Sequence, residues 1–273
     1  MRRALLSLVF AFLCLSTAGW GASAVAIKDP GALTVLSLNL AMREDVDQIA
    51  AELTSIGIGQ TDLLLLQEVV RRGDGPDVAQ QLAARLGLAS SYCTAFTLSD
   101  EKAVGLALLS RFPSHDPQVI ELKPISLRFR SRTRIALGAT VETPRGPVRV
   151  YNVHLDTRIN LGQRLDQLSA VAREAEATGG PTLVGGDFNT NNNHWLFNAL
   201  PLPFLGRQGA GVQRFMAENG FRSVFELGRP THDVLRMQLD WLFLRGLHAS
   251  SMSIKPLALS DHHALLASLA PGD

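Results

Sequence analysis

The chain is poor in cysteine and in net charge. Cys14 and Cys93 are the only cysteines in 273 residues, which excludes a disulfide framework as the source of stability. Lys and Arg together number 26 against 25 Asp and Glu. Setting aside Arg2 and Arg3 leaves 24 basic residues against 25 acidic, so the bulk charge does not announce a nucleic-acid binder. That balance, with 46% hydrophobic residues, also excludes a disordered tail. Beyond the N-terminal segment no run is apolar enough to cross a bilayer, and there is neither an internal repeat nor a low-complexity linker. One domain is the simplest organisation.

At the N-terminus, Arg2 and Arg3 precede the run Ala4 to Leu15, interrupted only by Ser7, and a small-residue stretch ending Gly21-Ala22-Ser23-Ala24. This order predicts a secretory signal peptide over residues 1–24, cleaved after Ala24, and a working domain over residues 25–273. The alternative is an uncleaved N-terminal membrane anchor, because no charge returns until Lys28 and about 20 apolar residues span a bilayer. Leu13, not a small residue, precedes Cys14, which argues against lipidation. Both readings put the domain outside the cytoplasm, periplasmic or secreted if cleaved. Cys93 then reads as a buried small hydrophobe without chemistry.

Strand-like runs rich in Val, Leu and Ile occur at Leu33–Leu40, Asp62–Val69, Ala103–Ser110, Arg134–Glu142, Val148–Leu155, Thr182–Gly185, Leu239–Leu244 and Ala264–Leu269. Helical periodicity lies between them, as at Leu161, Leu165, Leu168 and Val171. Arg145-Gly146-Pro147 separates two strand patterns by a turn signal, which predicts an antiparallel hairpin. The fold class is therefore α/β, with two sheets packed face to face and helices outside.

Polar and acidic residues recur at the ends of these strands, where a scaffold presents chemistry. The stretches are Leu36-Ser37-Leu38-Asn39-Leu40, Leu66-Gln67-Glu68-Val69, Tyr151-Asn152-Val153-His154-Leu155-Asp156, Gly185-Gly186-Asp187-Phe188-Asn189-Thr190, Gln238-Leu239-Asp240-Trp241-Leu242-Phe243 and Leu259-Ser260-Asp261-His262-His263. Singly, each has a plain structural reading as a cap, a turn residue, a surface pair or a satisfied core histidine. Together, acids converging at buried strand ends call for a cation.

All six stretches, in this order, resemble the endonuclease/exonuclease/phosphatase superfamily, which joins deoxyribonucleases, apurinic endonucleases, sphingomyelinases and inositol polyphosphate phosphatases. The resemblance runs from about Leu33 to Leu269. It implies a four-layer sandwich of two mainly antiparallel β-sheets flanked by helices. It also implies metal ligation by Asn39, Glu68 and Asp261, phosphate contact by His154, and water orientation or deprotonation by Asp187 with Asn189 as its partner. Asp240 would buttress His262, the general base or transition-state stabiliser, and His263 would serve packing or the cleft rim.

These residue types suit phosphoester hydrolysis on chemical grounds. A hard divalent cation must neutralise the phosphate oxygens, and the oxygen-only set Asn39, Glu68 and Asp261 favours Mg²⁺ or Mn²⁺ over zinc. A carboxylate beside an imidazole raises its pKa and fixes its tautomer, as Asp240 would for His262.

Arg128, Arg130, Arg132 and Arg134 alternate, so a strand would set all four on one face, either as a solvated row or as phosphate-binding forks. Arg158, with Asp156 and Thr157, follows the His154 strand and is expected at the cleft rim. The segment Asn191 to Gly211, with Trp195, Phe197 and Phe204, reads either as a cover on one side of the cleft or as a packed surface loop. No exposed aromatic hairpin stands out.

The first expectation is a nuclease-like phosphodiesterase acting as a monomer on a phosphoester substrate, nucleic acid among the candidates, with no stable protein partner. The alternative is a phospholipid or sphingolipid head-group hydrolase. A catalytically inactive binding protein would have shed some of these acids and histidines, and here the set is complete.

Overall fold

Strands buried on both faces account for the near-continuous apolar runs. A computed structural model describes residues 31–127 and 131–272; the expected signal peptide or anchor over residues 1–24, Cys14, Arg128 and Arg130 lie outside them. Strand β1 (Leu33–Asn39) leads through helix α1 (Val46–Ser55) to the parallel strand β2 (Leu63–Arg72). After α2 (Val78–Leu86), β3 (Ala89–Ser99) and β4 (Lys102–Ser110) add an antiparallel hairpin.

The second sheet begins with β5 (Ser114–Glu121), β6 (Ile135–Thr143) and β7 (Gly146–His154), then crosses through α3 (Leu161–Thr178) to β8 (Thr182–Asp187), parallel to β7. A separate small hairpin, β9 (His194–Leu196) and β10 (Leu200–Leu202), precedes α4 (Gln208–Glu218). Strands β11 (Arg222–Ser223) and β12 (Asp240–Arg245) complete the second sheet, and β13 (Leu247–Lys255) and β14 (Ala264–Pro271) return to the first. The strand orders are β13-β14-β1-β2-β4-β3 and β11-β12-β8-β7-β6-β5.

Consecutive residues serve different cores. Val35, Leu65, Val150 and Leu183 fill the space between the sheets, whereas Leu36 and Leu64 pack under α1 and α2 with Ile49, Leu53 and Leu82. Tyr151, Val184 and Phe243 pack under α3 and α4 with Leu168, Val171, Val212 and Met216. The period of two sends alternate side chains to opposite faces, and with both faces covered the strand reads as one apolar run. This is the expected four-layer sandwich, and Arg145-Gly146 closes the expected β6–β7 hairpin. No helix among the described residues is long and apolar enough to cross a membrane.

The eight strand patterns legible in the sequence are the eight interior strands. The edge strands β3, β5, β11 and β13 were not legible, because their exposed positions carry polar residues: β5 and β13 are mostly exposed along their length.

Candidate active site

Three neighbouring strands deliver three site residues side by side. His154 and Asp187 are register partners on β7 and β8, and Asp187 and Asp240 are partners on β8 and β12. Gly186 makes this approach possible: its φ is 134°, and a Cβ there would lie 2.1 Å from the Val153 carbonyl oxygen. Across the cleft, β1 ends at Asn39, and β2 carries a bulge between Leu66 and Val69. Within the bulge Glu68 has φ 53°, a conformation that turns its side chain out of the ladder. Glu68 lines a cleft of about 360 Å³ with Asn39, His154, Asp187, Asn189 and His262.

Asp187 is the hub. Its Oδ1 accepts from the Asn189 backbone N–H at 2.8 Å, and its Oδ2 accepts from Asn39 Nδ2 at 3.0 Å and Asn189 Nδ2 at 3.1 Å. His154 Nε2 lies 3.4 Å and His262 Nε2 3.9 Å from the same oxygen. Burial pushes the Asp187 carboxyl up to about 7, against the His262 charge, which opposes the rise. His154 is held well below its usual value, first by burial and then by the positive charges of Arg134 and His262.

His262 is the opposite case. Its Nδ1–H points at Asp240 at 2.9 Å, and Asp240 also accepts from the Thr231 hydroxyl at 2.6 Å. Burial alone would depress the imidazole, but the charges of Asp240 and Asp187 outweigh it and raise the group to about 10. His262 is thus a cation at neutral pH, and His154 is neutral. The Ser260 hydroxyl ties the loop before β14 to the end of β1, donating to the Asn39 carbonyl at 2.7 Å and accepting from the His262 N–H at 3.0 Å.

The three expected metal ligands differ in their surroundings. Glu68 is half-buried with no hydrogen bond or ion pair among the described residues, and burial raises its pKa, followed by the opposing pull of Arg134 and the repulsion of Asp261 among lesser causes. A partnerless carboxylate in a cleft fits a cation site. Asn39 has its Oδ1 on the Ala41 N–H at 2.9 Å, which leaves one lone pair for a cation. Asp261 is half-exposed and stands 3.2 Å from His232. His232, Asp261 and His262 bring ligand atoms within 4.8 Å of one another, as do Asp187, Asp240 and His262.

His232 escaped sequence reading. It stacks edge-on against His262 at 4.8 Å between ring centroids. Its Nδ1 accepts from the Val234 and Leu235 N–H groups at 3.2 Å each, so its proton sits on Nε2, toward Asp261. Nothing in the Pro230-Thr231-His232-Asp233 spacing signals this. Arg164 was also missed: fully buried on α3, it donates to the carbonyls of Asp156 (2.8 Å), Phe188 (2.5 Å) and Ile159 (3.3 Å) and to Gln208 Oε1 (2.7 Å). It pins the loop after β7 and the loop after β8 that carries Asn189, and burial lowers its pKa to about 9.

Several expectations are corrected. The described half of the arginine row, Arg132 and Arg134, does not form a strand face: residues 131–134 precede β6, Arg134 is buried with its Nε 3.1 Å from Asp156, and Arg132 lies over the Phe96 ring at 4.4 Å. Asp156 is buried, not at the rim, because it serves Arg134 and Gln167. Thr157 and Arg158 do line the cleft. His263 pairs with Asp233 at 2.6 Å, and Cys93 is only partly buried. The Asn191–Gly211 segment contains the β9–β10 hairpin, whose Phe197 is exposed.

Residues 36–262 match the model of the endonuclease/exonuclease/phosphatase family. Similar solved structures include a family protein from Beutenbergia cavernae, at TM-score 0.70 and 19% identity over 88% of this chain and 72% of that one. The human Nocturnin catalytic domain with bound sulfate matches at TM-score 0.64 and 19% identity, over 90% and 97% of the two chains. ANGEL2, a 2',3'-cyclic phosphatase in complex with adenosine-2',3'-vanadate, matches at 0.58 and 15% identity, over 87% and 95%. The in-register row of His154, Asp187 and Asp240, the His262 pair and the Glu68 bulge thus stand on a shared fold, and the chain belongs to the endonuclease/exonuclease/phosphatase family of metal-dependent phosphoester hydrolases.

Proposed function

We propose that the protein is an exported, Mg²⁺-dependent phosphodiesterase. The observation that carries this reading is the convergence of Asn39, Asn189, His154 and His262 on one buried carboxylate, Asp187. Glu68, Asn39 and Asp261 offer oxygen ligands only, the set that suits Mg²⁺ or Mn²⁺. When bound there, such an ion neutralises the charge of the phosphate oxygens. Export is supported by the sequence of residues 1–24.

The chain's own residues supply the rest. A water oxygen attacks phosphorus while Asp187, whose pKa of about 7 makes it a competent base near neutrality, takes the proton. Cationic His262 and neutral His154 present N–H donors to the negative charge that develops, with Asn189 beside them. The P–O ester bond breaks, and the leaving alkoxide recovers a proton from solvent. Asp240 holds the His262 ring and its charge throughout.

A nuclease reading drew its substrate contacts from the arginine row, and with Arg134 committed to Asp156 that support is weaker. The lipid head-group reading is favoured by a specific observation, the exposed apolar side chains beside the cleft. The deciding experiment is a panel of bis(4-nitrophenyl) phosphate, DNA, RNA and phospholipid vesicles, assayed with purified protein and Mg²⁺. Hydrolysis of none of them in Mg²⁺ or Mn²⁺ would defeat the reading.

A further inference from the structure

Twelve large apolar side chains are exposed among the described residues, and nine of them fall in two segments, 196–205 and 227–235. Both segments border the catalytic cleft, the first next to Trp195 and the second through Leu235. A neighbouring cavity lies between their flanks, lined by Asn192 and Arg207 on either side of the first segment and by Leu227 and Arg236 at the second. Exposure is greatest at Phe204 (85%), Val234 (79%), Leu205 (69%) and Phe197 (67%). Scattered exposed apolar residues are ordinary, but a set gathered on one rim marks an interaction surface.

The hairpin is inverted in polarity and firmly held. Its polar groups face the body: Asn160 exchanges two hydrogen bonds with the Trp195 backbone, at 2.9 and 2.8 Å, and Asn198 Nδ2 donates to the Arg158 carbonyl and to Gln163 Oε1 at 2.8 Å each. Apart from Trp195, which lines the cleft, its large apolar side chains are exposed. The tip is a tight turn in which the Ala199 N–H donates to the Leu196 carbonyl at 3.1 Å, with φ of 53° and 54° at Phe197 and Asn198. Asparagine suits such a turn, and Phe197 presents its ring at the tip with 67% of its surface exposed.

Charge narrows the occupant. No acidic residue occurs from Phe188 to Ala217, a stretch that includes Arg207 and Arg214. In the second segment Arg229 and Arg236 accompany the apolar tip, and Asp233 is held by His263. Apolar tips interleaved with arginines match the interface of an anionic bilayer, where the rings enter the acyl boundary and the guanidinium groups remain among the phosphates.

We propose that this rim docks the domain on anionic phospholipid membranes, and that the cleft between its two segments acts on phosphodiesters presented there. The substrate part rests on the phosphodiesterase reading above; the docking part does not. The test is flotation of the purified protein with vesicles of phosphatidylcholine, with and without phosphatidylglycerol, beside hydrolysis of soluble bis(4-nitrophenyl) phosphate. Wild type should float, more strongly with phosphatidylglycerol. The double variant Phe197→Ser/Phe204→Ser should lose about tenfold or more of its vesicle affinity per ring removed, while its melting temperature and its rate on the soluble diester stay unchanged.

Failure of the wild type to float, or a variant that floats equally, overturns the docking surface. So does sedimentation showing a dimer that the double variant dissolves, since the rim would then bind a second copy. Docking without turnover of any phosphodiester would instead strike the catalytic reading alone.

Discussion

His154 and Asp187 are register partners on adjacent parallel strands, with His154 Nε2 3.4 Å from Asp187 Oδ2. The backbone ladder therefore fixes the spacing of a neutral donor and the carboxylate it faces. Asp240 continues the row on the next strand and extends the same rigidity to His262. Groups placed by a sheet need little reorganisation when charge develops, which is the condition for electrostatic catalysis.

Replacing Asp187 by Ala should lower turnover by about 100-fold or more, the usual scale for losing a general base. Steady-state kinetics with the soluble diester and a thermal melt check this together. Wild-type turnover in a folded variant would remove Asp187 from the mechanism.

The pH profile should be bell-shaped. Activity falls at low pH as Asp187 gains a proton near 7, and at high pH as His262 loses one near 10. Asp240→Asn removes the anion that raises His262, so the alkaline limb should move to lower pH while the acid limb moves less. Plots of kcat/KM against pH for both proteins decide it, and superimposed profiles would make Asp240 purely structural.

Chelation should abolish hydrolysis, and Mg²⁺ or Mn²⁺ should restore it. Glu68 has no hydrogen bond or ion pair among the described residues, so Glu68→Gln should need more metal to reach half-maximal rate, with partial rescue at high concentration. Full activity of the wild type in excess chelator would refute metal assistance.

Arg164→Met should destabilise the fold by about 3 kcal/mol or more, because the carbonyls of Asp156 and Phe188 and Gln208 Oε1 lose their donor at once, while the Ile159 carbonyl keeps Gln208 Nε2. In a domain of this size that lowers Tm by roughly 10 °C. Arg164→Lys should recover only part of it, since one ammonium cannot reproduce the guanidinium fork. An unchanged melt would show that the loops are held by something else.

Two properties of the chain were decided by sequence alone. Strands covered on both faces must be apolar at every position, so the eight interior strands, β6 and β7 with their turn, and helix α3 all stood out. The motif residues Asn39, Glu68, His154, Asp187, Asn189, Asp240, Asp261 and His262 were legible because polar groups at the ends of such strands contrast with what precedes them.

The rest required tertiary structure, because it depends on what approaches from elsewhere in the chain. Edge strands lack a covering partner and so lack the apolar signal. The alternation of Arg128 to Arg134 looked like a strand face, yet Arg134 turns inward because Asp156, 22 residues away, meets it there. His232 and Arg164 carry no local signature, since their roles come from His262, Asp261 and two separate loops. Phe197 could equally have packed inward; the bonds of Asn160 and Asn198 to the body of the domain hold the hairpin so that Phe197, at its tip, is exposed.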